Sequence, residues 1–293
     1  MKVLFVHAHF DDFEFTAAGT FAQWRGRWGD SFRGRVLVCT DGKAGHHRLG
    51  REETGRVRLA EQEASARVGG YEFQQLRLPD GSVPRETMLR HTPHFLAALW
   101  KAIRDFEPDY LLAPPIPTDP RAGVHLDHAA VAEAVREVAY LINVPHAFTP
   151  EYPEEAEAEP RFVQTPVILT VFDSYMAGAN AADLVVDIDP VFDLVARMSW
   201  CHQSQIREWL PWVGRHRLRP PETLEDWKAV LSERMARQQR RLGLPPSPRV
   251  EVFQVTSWGE TPTFEQLMQD FPALVRDASR EARLKAWLQS AGE

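Results

Sequence analysis

Two short segments gather residues able to do chemistry. His9-Phe10-Asp11-Asp12 places an imidazole and two adjacent carboxylates directly after an apolar run at residues 3–8. Carboxylates buried at the end of a strand are costly without a cation, and a divalent metal removes that cost. In such an arrangement His9 and Asp12 can ligate while Asp11, pointing elsewhere, stays free to accept a proton. The second segment is His125-Leu126-Asp127-His128. Here one histidine can bind metal while a carboxylate orients the other imidazole. Each segment alone is also explained by helix capping beside solvated side chains. Together they offer two histidines and one aspartate with a fourth position open to water, which is the catalytic rather than the structural zinc pattern. The same ligand types also suit iron(II).

Apolar patterning shows what must hold these segments. Residues 3–8 and 35–40 read as buried strands, with a helix over 16–28 between them. After a Gly- and His-rich loop, the spacing of Val57, Ala60, Ala64 and Val68 predicts a helix with those residues on one face, stopped by Gly69-Gly70. A strand at 73–78 closes on Pro79-Asp80-Gly81. Leu96, Leu99, Ile103 and Phe106 follow at helical spacing, then a strand at 110–113 and a helical stripe through Val131, Val135, Val138 and Ile142. Further strands are predicted at 166–172, 184–188 and 250–255, and helices at 199–212 and 221–242. Strands alternating with helices predict an α/β fold, a Rossmann-like, mainly parallel sheet flanked by helices. Ligand sites in such sheets lie beyond the carboxyl ends of the strands. Both segments fall there.

Composition narrows the class. With 44% hydrophobic and 26% charged residues over 293 positions, the chain can bury a full core, which excludes disorder as its main state. It has no apolar run of about 18 residues to span a membrane, and its N-terminus reads as a first core strand rather than a secretory signal. A net charge of −7 gives no general footprint for nucleic acid. Residues 206–249 are locally basic, ten Arg/Lys against five Asp/Glu, which reads as the solvated face of a helix more simply than as an anion site. Cys39 and Cys201 make neither a disulfide framework nor a thiolate cage, and a reducing cytoplasm is the expected location. The tryptophans at 209, 212, 227, 258 and 287 read first as core, with a substrate surface or a homo-oligomer contact as their other use.

In order, the motifs resemble the PIG-L/LmbE-like family of zinc-dependent N-deacetylases. Residues 9–20, HFDDFEFTAAGT, are similar to that family's HPDDxExGxGGT signature, with Phe10, Thr16 and Ala18 departing from it. His125-Leu126-Asp127-His128 is similar to its HPDH. Thr40-Asp41-Gly42-Lys43-Ala44-Gly45 resembles its T-x-G-E-x-G loop, with Lys43 replacing the acid. Arg58-x-x-Glu61, Leu78-Pro79-Asp80-Gly81 and His202-Gln203-Ser204-Gln205 follow its later motifs. The likeness covers residues 1–210 and leaves 211–293 as a C-terminal helical extension packed on the core.

The resemblance implies zinc held by His9, Asp12 and His128, with Asp11 as general base and His125 as electrostatic or acid partner. Asp127 is placed to hold His125 cationic. Arg58 and Asp80 are expected at the substrate, although Arg58 also fits a surface ion pair with Glu61 one turn on. The expected reaction removes the N-acetyl group of an N-acetylglucosamine-type conjugate, so the partner is a small molecule. Two other readings remain at this stage. One takes His7-x-His9 as the metal pair of an amidohydrolase barrel. The other is a sugar-binding or regulatory protein that keeps the site without turnover, motivated by Phe10, Thr16 and Ala18.

Overall fold

The computed structural model describes residues 1–176, 178–215 and 218–291. In chain order its main elements are β1 (Lys2–His7), α1 (Ala18–Trp28), β2 (Arg33–Val38), α2 (Arg51–Gly69), β3 (Glu72–Gln75), α3 (Pro93–Phe106), β4 (Tyr110–Ala113) and α4 (Leu126–Leu141). Then come a one-turn α5 (Glu154–Glu157), β5 (Val167–Val171), β6 (Leu184–Asp187), α6 (Phe192–Trp200), α7 (Leu210–Val213), α8 (Leu224–Arg241), β7 (Val250–Val255), α9 (Phe264–Asp270) and α10 (Ala278–Ala291).

The strands form one seven-stranded sheet in the order β3-β2-β1-β4-β5-β7-β6. β1 to β5 are parallel, and β7 runs antiparallel between β5 and β6. An open sheet rules out the barrel that the His7-x-His9 reading requires. Because side chains alternate along a strand, Val3 and Phe5 join Val36, Val38, Leu112 and Leu169 in one core, while Leu4 and Val6 join Leu37, Leu111 and Ile168 in the other. Strands covered on both faces explain the unbroken apolar runs in the sequence.

Strand order reverses between β1 and β4, so the loops leaving their carboxyl ends diverge and open a crevice there. These are the loops carrying His9–Asp12 and His125–His128.

The segment after residue 210 supplies β7 as well as helices. Glu251 of β7 accepts hydrogen bonds from Gly19 N (2.8 Å), Thr20 N (2.7 Å) and Thr20 Oγ1 (2.6 Å), satisfying first-turn donors of α1, which has no side-chain cap at its own N-cap residue. α8 begins with a capping box between Thr223 and Asp226 and buries Trp227, Leu231 and Met235.

Two predicted helices differ in detail. α2 forms where expected and ends at Gly70, whose φ is 66°. Its buried face, however, is Thr54, Arg58, Gln62 and Ser65, while Val68 is exposed. The helix predicted at 199–212 breaks after Trp200 and resumes as a π-helical stretch over Ser204–Trp209. At the break, Ser204 N and Oγ both donate to Glu61 at 2.7 Å.

Candidate active site

At the end of β1 the chain turns sharply, with Asp11 at φ 80°. A non-glycine residue is strained there, and α2 supplies the restraint: Gln62 Oε1 accepts from Asp11 N at 3.1 Å and Arg58 donates to the Phe10 carbonyl. The turn brings three donor atoms together with the start of α4. His9 Nδ1 is 3.0 Å from His128 Nε2. Asp12 Oδ2 is 3.5 Å from that His9 nitrogen and 3.6 Å from that His128 nitrogen. Ligands about 2.0–2.1 Å from a tetrahedral ion lie about this far from one another, so the donor set fits a divalent cation of the zinc type.

Carboxylates behind the two rings fix their orientation. Asp127, fully buried, accepts from His9 Nε2 at 3.0 Å and from the backbone N–H groups of Thr87 (2.7 Å) and Leu89 (3.2 Å). Asp173, just past β5, is 2.6 Å from His128 Nδ1 and also accepts from Tyr175 N at 2.7 Å. Each imidazole thus turns its other nitrogen toward the cluster.

This corrects the expected pairing of Asp127 with His125: Asp127 is spent on His9. His125 packs against the rings of His9 and His128, with centroids 4.6 and 4.4 Å away, and its Nδ1 is buried without a partner among the described residues. Burial first, then His9 and His128, lowers its pKa to about 4, so the expected cationic His125 is replaced by a neutral imidazole.

The carboxylates differ in kind. Burial disfavours charge on Asp12, but His7 and His128 outweigh it and keep its pKa well below the usual range. On Asp11, burial wins over the nearby Arg58 and raises the pKa. Burial works against a proton on His9, yet hydrogen bonds to Asp12 and Asp127 push its pKa up to about 10, so cation binding there must displace a proton.

Two residues expected at the substrate lie elsewhere. Arg58 is buried and faces Asp11 at 3.4–3.5 Å, so it positions the candidate base; Glu61, its alternative partner, is engaged by Ser204. Asp80 is exposed and accepts from Ser82 N (2.9 Å) and Oγ (2.6 Å), which closes a turn outside the cleft.

Two further residues at the site, His7 and Glu14, take places that the sequence reading did not give them. His7 Nδ1 lies 2.5 Å from Asp12 Oδ2, off the axis of a hydrogen bond, and its ring packs edge-on to His128. Buried Glu14 accepts from Ser65 Oγ (2.5 Å), Tyr71 OH (2.8 Å) and Gln62 Nε2 (2.9 Å), and lies 3.4 Å from His202. A cleft of about 240 Å³ opens on the cluster, lined by His7, Asp12, Thr16, His128, Asp173 and Tyr175 and closed on its other side by α8. Of the departures from the signature, only Thr16 reaches the cleft. Phe10 is buried, its ring packed on Gly42 and near Phe73, and Ala18 is buried in the core.

An open α/β sheet with a His/Asp cluster at its switch point defines the class. Residues 4–139 match the family model of PIG-L, described as GlcNAc-PI de-N-acetylase, so the resemblance of the motifs is borne out across that stretch. Among solved structures, N,N'-diacetylchitobiose deacetylase from Pyrococcus horikoshii is similar with a TM-score of 0.65 at 21% identity, covering 87% of this chain and 83% of its own. The 4-carboxy-2-hydroxymuconate hydratase GalB from Pseudomonas putida is similar at 0.59 and 17% identity, covering 86% and 95%. A conserved protein from Thermus thermophilus gives 0.57 and 21%, covering 87% and 93%. No curated protein matches. At these identities the structural likeness establishes the fold, and a fold shared by a deacetylase and a hydratase leaves the reaction to be argued from the site.

Proposed function

We propose that this chain is a divalent-metal-dependent N-deacetylase, with zinc as its ion, that hydrolyses the N-acetyl amide of an N-acetylglucosamine-type conjugate to acetate and a free amine. The observation that carries the reading is the convergence of His9 Nδ1, Asp12 Oδ2 and His128 Nε2 within 3.6 Å of one another beside Asp11. The PIG-L match over residues 4–139 supports the same reaction. Two imidazoles and one carboxylate suit zinc, and also iron(II).

When bound, such an ion supplies a Lewis acid that brings the pKa of water from 15.7 to about 7 and polarises the amide carbonyl. The remaining work falls to side chains. His9, Asp12 and His128 hold the ion, with Asp127 and Asp173 keeping both rings in the ligating tautomer. Asp11, raised in pKa by burial and held by Arg58, takes the proton of the attacking water as the new C–O bond forms. It returns that proton to the sugar nitrogen as the C–N bond breaks. His125, neutral and beside both ligand rings, stabilises the carbonyl oxygen as a hydrogen-bond donor while negative charge develops.

The test is acetate and amine release from a panel of N-acetylglucosamine conjugates, comparing metal-loaded with chelator-stripped protein. Metal-dependent release supports the reading. If stoichiometrically loaded protein releases no acetate from any of them, the non-turnover alternative stands.

A further inference from the structure

The cleft wall opposite the His/Asp cluster is basic. Arg234, Arg237, Gln238 and Arg241 all line it from α8. Their spacing of three, four and seven residues puts them on one helix face, a row about 10 Å long at 1.5 Å per residue. Arg234 lies deepest, its guanidinium carbon 4.3 Å over the Phe15 ring, while Arg237 and Arg241 are exposed toward the mouth.

Among the described residues, none of these three guanidinium groups forms an ion pair or donates a hydrogen bond. Arg240, on the neighbouring face, pairs with Glu233 at 2.9 Å. The acidic groups across the cleft are already engaged: Asp173 by His128, and Asp12 by His7, His9 and His128. Three free guanidinium groups in one cleft wall are a recognition surface for an anion, because a guanidinium fork matches carboxylate and phosphate oxygens. The local excess of positive charge in residues 206–249 is therefore not merely a solvated helix face.

The geometry points to an anion-binding subsite formed by Arg234, Arg237 and Arg241, which selects amino-sugar conjugates bearing a carboxylate or phosphate on the group linked to the sugar. The sugar half of this assignment rests on the deacetylase reading; the anion half does not. Gln238 adds an uncharged donor in the same row. All four residues lie outside the segment matched by the family model, so the subsite is carried by this chain's own C-terminal part.

Binding tests the two halves separately. Calorimetry on metal-loaded protein with Asp11→Asn, to prevent turnover, uses three probes of matched size: the 4-methylphenyl, 4-carboxyphenyl and 4-phosphophenyl N-acetylglucosaminides. Both anionic probes bind at least tenfold tighter than the neutral one at low salt, and the gap narrows as salt rises. Adding Arg237→Gln and Arg241→Gln removes most of that gap, whereas Arg240→Gln keeps it. A larger gap for one anion identifies which of the two is preferred. Equal binding of all three probes overturns the subsite, as does a gap that survives the double arginine replacement. If the gap is present but wild-type protein releases no acetate, the subsite stands and the deacetylase reading falls.

Discussion

Nδ1 of His9 and Nε2 of His128 face each other at 3.0 Å, although 119 residues separate them in the chain. Neither ring is free to turn away, because Asp127 holds the far side of one and Asp173 the far side of the other. Two imidazole nitrogens and the Asp12 oxygen pointed at one spot are arranged for a shared cation. Asp173→Asn weakens this by replacing an anionic acceptor with an amide. It is expected to lower metal affinity by about 10–100-fold with little change in fold. Metal titration against a chromophoric chelator reads the change, and affinity equal to wild type would remove Asp173 from the support of His128.

Asp11 is the proposed general base. Asp11→Asn keeps the shape and the hydrogen bond from its backbone to Gln62, so metal content stays near wild type while turnover falls by about 10²–10⁴-fold. Arg58 opposes the burial that raises the Asp11 pKa. Arg58→Met removes that opposition, so the base is protonated over a wider range and the acidic limb of kcat/KM moves to higher pH. An acidic limb unchanged in Arg58→Met, measured across pH 4–8, would show that Asp11 is not the group titrating there.

Glu14 provides a pH test that requires no substrate. Burial favours its neutral form, but His202, Ser65 and Tyr71 outweigh burial and lower its pKa from 4.5 to about 2. Because the folded pKa lies below the unfolded one, the carboxylate contributes stability above pH 4.5 and loses it as pH falls toward 2. The difference is worth about 3 kcal/mol. Urea unfolding between pH 5 and 2 should therefore show wild type losing about that much more stability than Glu14→Gln. Parallel stability curves for the two proteins would mean that Glu14 has no such preference for charge.

The sequence showed the sheet more clearly than the network beneath the site. Strands buried on both faces are continuous apolar runs, so β1, β2, β4 and β5 stood out, and their alternation with helices led to the parallel sheet. The two segments of the candidate site were legible because His and Asp crowd after β1 and before α4. The face of α2 was not. Apolar periodicity chose Val57, Ala60, Ala64 and Val68, yet the helix buries Arg58, Gln62 and Ser65 against Asp11 and Glu14. Periodicity cannot mark a buried face that is polar because it serves a site. Asp173 was missed for a related reason, since a single aspartate after a strand resembles any turn former. The Arg234 row was visible as local charge, but its meaning depends on which face of α8 closes the cleft, and only tertiary packing sets that.

Glu251 links the last strand to the first loop of the site. Its carboxylate takes the N–H groups of Gly19 and Thr20 at the start of α1, a few residues after Asp11 and Asp12. Glu251→Ala leaves these buried donors without an acceptor, and each unsatisfied donor costs about 1–3 kcal/mol. Burial already pushes the Glu251 pKa up, so the site tolerates a neutral side chain. Glu251→Gln retains one carbonyl acceptor and is expected to lose less than the alanine variant. Because α1 anchors the end of the 9–17 loop, Glu251→Ala should also weaken metal binding, whereas a purely remote packing defect would lower stability alone. Chemical unfolding and metal titration on both variants separate these outcomes. Wild-type metal affinity in a destabilised Glu251→Ala protein would sever the proposed link between β7 and the metal loop.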